Sequence, residues 1–222
     1  MGILDFFFPK RCVGFGRIGK YFCDSCCIKI RYIAVNEAMC SMCEKPAIDG
    51  ATHPRCRTRY CLDGLTSFFR YDGPVRKAVK AIKYRLVSDL DSEFISLVPR
   101  ASLFDISKAT ICIPIPLHPA RFRSRGFNQA EVLGKLIAAR LNIPVRTDIL
   151  RWVKLTTPQV SMKTREERLG NMKKVFQTVQ TVQNMHIILF DDVFTTGATM
   201  RSAANTLKRA GAKSVWAVTV AR

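Results

Sequence analysis

Residues 186–200, HIILFDDVFTTGATM, hold the pattern that decides the fold. Their continuous apolar run, followed at once by Asp191 and Asp192, is typical of a strand buried on both faces of a parallel sheet. A helix over about 198–210, ended by a glycine, and a second apolar strand at 214–221 are predicted to follow. Strand, helix and strand in this order predict a right-handed crossover between parallel strands.

The chain before this stretch shows the same alternation. The sequence predicts a short strand from about residue 66, a basic helix after Pro74, a strand at 111–116 and a helix at 129–141. The predicted fold class is therefore α/β, with a central parallel sheet flanked by helices. Ligands of such sheets bind at the carboxyl ends of the strands, so we expect the functional edge to follow Phe190.

Two adjacent carboxylates stand at that edge. Asp191 and Asp192 repel each other there unless a bound diol or a nearby cation divides their charge. Because neighbouring residues of a strand point to opposite faces of the sheet, we expect the two acids to have unequal roles.

The turn after the acids is small and rich in hydroxyl groups. It consists of Thr195, Thr196, Gly197, Ala198 and Thr199. Unpaired backbone amides and the helix dipole favour a phosphate at such a helix start, and the glycine permits its close approach. A diol-binding acidic pair beside a phosphate-binding turn is complementary to a ribose 5-phosphate. An ordinary strand-to-helix turn with a threonine cap would explain the turn, but not the two acids.

The segment ILFDDVFTTGAT resembles the signature with which type I phosphoribosyltransferases bind phosphoribosyl pyrophosphate (PRPP). With FPKRC near the start, YDGPVRKAVKAIKYR and PIPLHPARFRSRGFNQAEVL, nearly the whole chain resembles the ComF family. Members of that family join a cysteine-rich zinc module to a phosphoribosyltransferase-like domain. The resemblance implies a small zinc-ribbon-like module in residues 1–64 and a type I phosphoribosyltransferase fold in residues 65–222.

The resemblance also implies roles for individual residues. Asp191 and Asp192 would hold the ribose hydroxyls of PRPP, residues 195–199 its 5-phosphate, and a loop at 116–121 its pyrophosphate with Mg²⁺. The expected contacts in that loop are Pro116, Leu117, His118 and Arg121. Arg121 and the two acids are the expected catalytic residues. Pyrophosphate would leave the anomeric carbon through an oxocarbenium-like state, so catalysis needs positioning and stabilisation of the leaving charge rather than a nucleophilic residue.

Arg121, Arg123 and Arg125 stand within five residues after the predicted strand at 111–116. Guanidinium groups match phosphate oxygens in bidentate fashion, so these arginines can clamp a pyrophosphate. The alternative is a solvated basic loop. His118 invites the role of an acid or a ligand, although histidine is also common in ordinary structure.

Residues 154–173 are polar and basic, with little apolar periodicity. Either they form the mobile loop that closes over PRPP and excludes water, or a helix with a charged face extends over 163–174. The candidate contacts in this segment, which also belong to the family resemblance, are Thr157, Gln159, Arg165, Arg168 and Asn171.

Eight of the nine cysteines precede residue 62, which marks a separate module. One group consists of Cys40, Cys43, His53 and Cys56. These are two short ligand pairs, each with two residues between its members, and such pairs can close a tetrahedral Zn²⁺ site. In a chain without an export signal, metal ligands are a better explanation than disulfides.

A second group consists of Cys12, Cys23 and Cys26. It resembles the first zinc pair of the family, but Phe15 stands where the pattern has another cysteine. Either Cys27 supplies the missing thiolate, or the group consists of buried cysteines without a metal.

The composition bounds the partners. With 36 Lys and Arg against 17 Asp and Glu, the net charge of +19 predicts attraction of polyanions and phosphorylated small molecules, although solubility alone would also explain it. The sequence has neither a membrane-spanning run nor a secretory signal, so we expect a cytoplasmic protein without membrane insertion.

A second function hypothesis is a DNA-uptake factor that binds single-stranded DNA and competence proteins, because ComF relatives are associated with natural competence. The charge and the arginine-rich segment fit binding of a nucleic-acid backbone. An oligomer is compatible with either function.

Overall fold

The computed structural model describes residues 9–84, 88–106, 109–153 and 175–222. Its strands are β1 Gly64–Phe69, β2 Ile111–Pro114, β3 Leu150–Trp152, β4 Phe176–Thr178, β5 His186–Val193 and β6 Ser214–Ala221. Four of them form one sheet in the order β1-β6-β5-β2, and every pair in it is parallel. The central parallel sheet predicted from the sequence is therefore confirmed.

The helices of the described residues are α1 Asp24–Ile28, α2 Gly73–Tyr84, α3 Ser88–Ser96, α4 Pro119–Arg125, α5 Gln129–Leu141 and α6 Ala198–Arg209. Short 3-10 segments lie at Val35–Glu37, Ile48–Gly50, Pro54–Cys56 and Ala101–Ile106. The predicted helices at 129–141 and 198–210 correspond to α5 and α6. None of the helices in the described ranges combines the length and the hydropathy that a membrane crossing requires.

The sheet is covered on both faces, as the continuous apolar run of β5 predicts. Ile188 and Phe190 of β5 pack into one apolar layer, with residues of α2, α3 and α5. Ile187 and Leu189 point to the opposite layer, which contains the buried face of α6. This alternation fixes the direction of the side chains at the end of β5, where the two acids stand.

A short antiparallel hairpin of β3 and β4 lies outside the main sheet. Leu150 and Phe176, one from each strand, are buried in the same layer as α6. The sequence did not predict this hairpin. Residues 154–174, between its strands, lie outside the described residues. The two alternatives for this segment, a mobile loop and a helix over 163–174, therefore concern residues that the structure does not describe.

The cysteine-rich region packs against the sheet domain instead of standing apart. Phe22 stacks on Phe94 of α3 with ring centroids 5.6 Å apart, and Leu62 is fully buried in the opposite layer. The first sheet strand begins at Gly64. A division of the chain between residues 64 and 65 remains a prediction.

Candidate functional site

A cavity of about 660 Å³ opens at the carboxyl edge of the sheet, where β5 and β2 end. Its walls contain the residues predicted to hold PRPP after β5 and in residues 116–121: Asp191, Asp192, Thr195, Thr196, Gly197, Ala198, Thr199, Pro116, Leu117, His118 and Arg121. The fold thus brings together two segments that are some 70 residues apart in the sequence. The roles of these residues remain predictions.

The two acids at the end of β5 have different surroundings, as the alternation of strand side chains requires. Asp192 is only 5% exposed, and its Oδ2 lies 2.7 Å from Nζ of Lys83 on α2. Asp191 is half-buried, has no ion pair in the described part of the chain, and accepts a hydrogen bond of 2.8 Å from the backbone N–H of Asp192.

The charge of Asp191 is disfavoured by its surroundings. Burial, and then the neighbouring Asp192 carboxylate, raise the pKa of Asp191 well above its usual value, while the Lys83 ammonium acts in the opposite direction. One acid is therefore compensated by a lysine, and the other lines the cavity in need of a hydrogen-bond donor or a cation.

The threonine turn is open to solvent. Thr195, Thr196 and Thr199 are exposed beside the cavity. Gly197, which precedes α6, has φ +66, and a Cβ there would stand 2.3 Å from the ring of Phe194. Both the left-handed backbone and the close ring require glycine at this position. The first amides of α6 lack intrahelical acceptors, which suits a phosphate.

Arg201, on the first turn of α6, joins this turn to the cysteine-rich region. Its guanidinium donates one hydrogen bond to the carbonyl of Thr196 and another, of 2.6 Å, to the carbonyl of Ser41. Ser41 is fully buried, and its hydroxyl contacts that of Thr52 at 3.1 Å. No local pattern predicts this contact, because its partners are 160 residues apart.

The arginine-rich segment corrects one prediction. Residues 116–121 were expected to be a loop, but the chain is helical from Pro119 onward, in α4. Proline suits a first helical position, and Nδ1 of His118 accepts a hydrogen bond of 3.2 Å from the N–H of Ala120. The alternative prediction of a solvated basic loop is therefore wrong for residues 119–125.

The three arginines of α4 do not all face the cavity. Arg121 and Arg125 are four residues apart, lie on one face of α4 and both line the cavity, whereas Arg123 does not. Arg125 also donates a hydrogen bond of 2.9 Å to Gln129. Two guanidinium groups thus line the same cavity as the threonine turn.

Sequence reasoning missed four residues of the cavity wall with polar or aromatic side chains: Lys83, Asn128, Gln129 and Trp152. Three of them lie in the segments quoted for the family resemblance, where Lys83, Asn128 and Gln129 could have been noticed. Trp152, on the hairpin, donates from its indole N–H to the carbonyl of Pro116 and packs edge-on against His118.

Two histidines at or near the ends of the strands, His118 and His186, have ordinary structural contacts. His118 caps α4, and His186 opens β5 with Nδ1 2.7 Å from the hydroxyl of Ser214. The contacts proposed for Thr157, Gln159, Arg165, Arg168 and Asn171 lie outside the described residues and stay predictions.

The first group of metal-ligand residues is assembled as predicted. The ligand atoms of Cys40, Cys43, His53 and Cys56 all lie within 4.8 Å of one another. Nε2 of His53 is 2.8 Å from the carbonyl of Pro46, an acceptor that leaves Nδ1 free to bind a metal. Three sulfur atoms and one nitrogen are typical ligands of structural Zn²⁺.

The backbone favours ionised sulfur in this group. Burial opposes ionisation of Cys40, but N–H groups of His53, Cys43 and Met42 outweigh it and lower the pKa of Cys40 to about 7. A thiolate is the form that binds a metal, so the geometry and the electrostatics agree at Cys40, whereas burial and the neighbouring Cys43 raise the pKa of Cys56.

The second group contains three thiols. Sγ of Cys12 lies 3.2 Å from that of Cys26 and 3.5 Å from that of Cys23. Cys27 does not join them, because it is exposed and its Sγ faces the carbonyl of Phe22 at 3.7 Å. Cys27 therefore does not replace the cysteine that is missing at Phe15.

Comparison with known proteins agrees with this architecture. Residues 128–222 match the phosphoribosyl transferase domain family. Competence protein ComFC of Bacillus subtilis is 30% identical, over 90% of this chain and 83% of its own. DNA utilization protein YhgH of Salmonella typhimurium is 27% identical over 86% of both chains, and competence protein F of Haemophilus influenzae 32% identical over 46% of both. The chain thus belongs to the ComF family, with a type I phosphoribosyltransferase domain behind a cysteine-rich N-terminal region.

Proposed function

We propose that the chain binds PRPP in the cavity at the end of β5 and transfers its phosphoribosyl group to an acceptor, with release of pyrophosphate. The observation that carries this proposal is the half-buried Asp191, which has no ion pair in the described ranges and lines one cavity with the open threonine turn. A ribose 5-phosphate offers hydroxyl donors to the acid and a phosphate to the helix start.

In this proposal the acids and the turn hold opposite ends of the sugar. Asp191 accepts hydrogen bonds from the ribose hydroxyls, while Asp192 is held in place by Lys83. The amides and hydroxyls of residues 195–199 bind the 5-phosphate. Mg²⁺, when bound with PRPP, would neutralise pyrophosphate charge, and the carboxylate oxygens of the two acids are the hard ligands that it prefers.

Arg121 and Arg125 are proposed to bind the pyrophosphate. As the bond at the anomeric carbon breaks, negative charge grows on the leaving group, and two guanidinium groups stabilise that charge. The acceptor attacks the opposite face of the sugar, so the chain supplies orientation and electrostatic stabilisation rather than a nucleophile.

The acid pair provides the test of this proposal. We expect Asp191→Asn, and Asp191→Asn combined with Asp192→Asn, to abolish PRPP binding in calorimetry with Mg²⁺, because an amide cannot accept the same charge-assisted hydrogen bonds. Pyrophosphate release from PRPP should be lost in parallel when candidate bases, amines and nucleic acids are screened as acceptors.

A matched control is Asp89→Asn, which removes a surface carboxylate that pairs with Lys10 at 3.2 Å. It should leave PRPP affinity unchanged. Retained PRPP affinity in the variant with both acids replaced would refute the assignment of the site.

The four-ligand group Cys40, Cys43, His53 and Cys56 is proposed to hold structural Zn²⁺, because its ligand types and mutual distances suit that ion. The group Cys12, Cys23 and Cys26 offers three thiolates to a second ion. With few regular elements around the cysteines, a metal would supply stability that an apolar core cannot provide there.

We also propose a second candidate function, in which the chain binds single-stranded DNA and competence proteins. The names of the relatives refer to competence and to DNA utilization, and the net charge of +19 favours a polyanionic partner. Salt-dependent binding of single-stranded DNA without any effect of PRPP would favour this function, and PRPP-dependent pyrophosphate release would favour the first.

A further inference from the structure

A second cavity, of about 340 Å³, lies beside the cavity proposed for PRPP. It is lined by Lys83, Tyr84, Ala120, Arg121, Ser124 and Arg125. Four of these residues, Lys83, Ala120, Arg121 and Arg125, also line the larger cavity. The walls of the second cavity thus come from the end of α2 and from one face of α4.

The second cavity is cationic. Three of its six residues carry a positive charge, and none carries a negative charge. The side chain of Arg121 is exposed and makes no ion pair or hydrogen bond with any residue of the described ranges. The only hydrogen bond of the Arg125 side chain within these ranges is to the neutral Gln129. The carboxylate that pairs with Lys83 has a side chain only 7% exposed and lines the larger cavity. An anionic ligand is therefore the natural occupant.

An aromatic side chain completes this cavity. Tyr84 is 78% exposed at the end of α2, and the guanidinium of Arg125 lies 5.8 Å from its ring centroid. A tyrosine so exposed contributes little to the apolar core. An open ring beside unpaired cations is the combination on which single-stranded nucleic acids bind, with bases stacked on the ring and phosphates on the cations.

We propose that this second cavity binds single-stranded nucleic acid, with one base stacked on Tyr84 and an adjacent backbone phosphate held by Arg121 and Arg125. The proposal rests on the second candidate function and gives it a location. A strand is favoured over a free nucleotide because basic and aromatic surface continues along α4, where Arg123 and Phe122 are exposed outside the cavity. No covalent step is involved.

The test is a titration of a labelled oligo(dT) of about twelve nucleotides with the full chain, followed by fluorescence anisotropy. Tyr84→Ala should weaken binding roughly tenfold, the magnitude of one lost base stack, whereas Tyr84→Phe should keep nearly the affinity of the wild type. Because Tyr84 does not line the larger cavity, Tyr84→Ala should not change the affinity for PRPP in calorimetry.

Tyr60→Ala is the matched control. Tyr60 also lies under an arginine, with Arg209 4.2 Å from its ring centroid, but it lines neither cavity. This variant should bind oligo(dT) as the wild type does. Binding of oligo(dT) without any binding of PRPP would remove the first proposed function and leave this one standing.

Several results would overturn the inference. They are absence of oligo(dT) binding by the wild type, an unchanged affinity in Tyr84→Ala, and an equal loss in Tyr60→Ala. A loss of both oligo(dT) and PRPP binding in Tyr84→Ala would show that the tyrosine acts through the fold. Equally tight binding of thymidine monophosphate, or of duplex DNA, would identify a ligand other than a single strand.

Discussion

Lys83 compensates the charge of a carboxylate that has almost no access to water. In Lys83→Met, Asp192 would remain buried without a partner, so we expect a loss of about 3 kcal/mol in the free energy of unfolding, measured with urea near neutral pH. The double variant Lys83→Met with Asp192→Asn should recover most of this loss, because neither charge then remains.

Lys10→Met is the control for this prediction, since it breaks an ion pair with Asp89 in which both partners are substantially exposed. It should leave the free energy of unfolding almost unchanged. An equal loss in the two single variants would show that the ion pair at the site is no more important for stability than one at the surface.

Asp91 of α3 is a second carboxyl group whose environment opposes its charge. It is 4% exposed, its Oδ1 has no hydrogen-bond partner in the described residues, and burial raises the pKa of Asp91 to about 6. Since this pKa lies above that of the unfolded chain, the folded state binds more protons between about pH 4 and 6. Asp91 therefore lowers stability as the pH rises through this window, and the cost stays constant above it.

Asp91→Asn should remove that cost. We expect the variant to gain about 2 kcal/mol in the free energy of unfolding near pH 7.5 and nothing below about pH 4, measured by urea unfolding at a series of pH values. The informative quantity is the difference between variant and wild type, because other carboxyl groups also titrate. A difference that does not change between these pH values would contradict the assignment.

At this scale the sequence predicted residues that stand in short local motifs, but not the contacts that single distant side chains make with them. Asp191, Asp192 and residues 195–199 form one segment, so their common location follows from local structure alone. Lys83 is over a hundred residues from its partner, and the burial of Asp91 depends on how the helices pack. No periodicity or spacing carries that information.

Among the elements, α6 connects the two halves of the molecule. It begins in the threonine turn. On its first turn, Arg201 donates a hydrogen bond to the carbonyl of Ser41, which lies between Cys40 and Cys43 in the sequence. If the proposed Zn²⁺ is bound by Cys40, Cys43, His53 and Cys56, its removal with a chelator should release the carbonyl of Ser41. We therefore expect PRPP affinity to fall several-fold in calorimetry, and elemental analysis should find at least one equivalent of zinc before chelation.

Arg201→Leu should weaken PRPP binding by a similar factor, and chelation should then have little further effect. Arg201→Lys, which keeps the charge but not the two-pronged hydrogen bonding, separates the contribution of the charge from that of the contact. Arg209→Leu, at the exposed end of the same helix, is the control. If chelation weakens PRPP binding equally in Arg201→Leu and in the wild type, the coupling does not pass through this residue.

The elements themselves were predictable where they are long and regular. The strands β5 and β6 and the helices α5 and α6 have sustained apolar patterns, and the structure places them close to the predicted bounds. The hairpin of β3 and β4 has only three residues in each strand, too few to show an alternation. Three of the seven residues of the helix α4 are arginines and it lacks an apolar face, so its sequence suggested a loop.

On the scale of the whole molecule, the cysteine-rich region and the sheet domain share their cores. Cys26 and Ile30 belong to the same apolar layer as the inner residues of α2 and α5, and Leu62 to the layer of α6. The composition correctly indicated a group of cysteines near the start of the chain. It did not indicate that the region around them would pack on both faces of the sheet. Contacts between distant apolar side chains are decided by the complete fold.

Lys83 borders both cavities, which has a consequence for how their occupants affect each other. A phosphate bound in the second cavity would attract this ammonium group and so weaken its compensation of the Asp192 charge. By thermodynamic linkage, if a bound sugar phosphate changes the affinity for single-stranded nucleic acid by some factor, the bound nucleic acid changes the affinity for the sugar phosphate by the same factor. Because Arg121 and Arg125 line both cavities as well, we expect a polyanion bound in one cavity to change the affinity of the other cavity for its own polyanion.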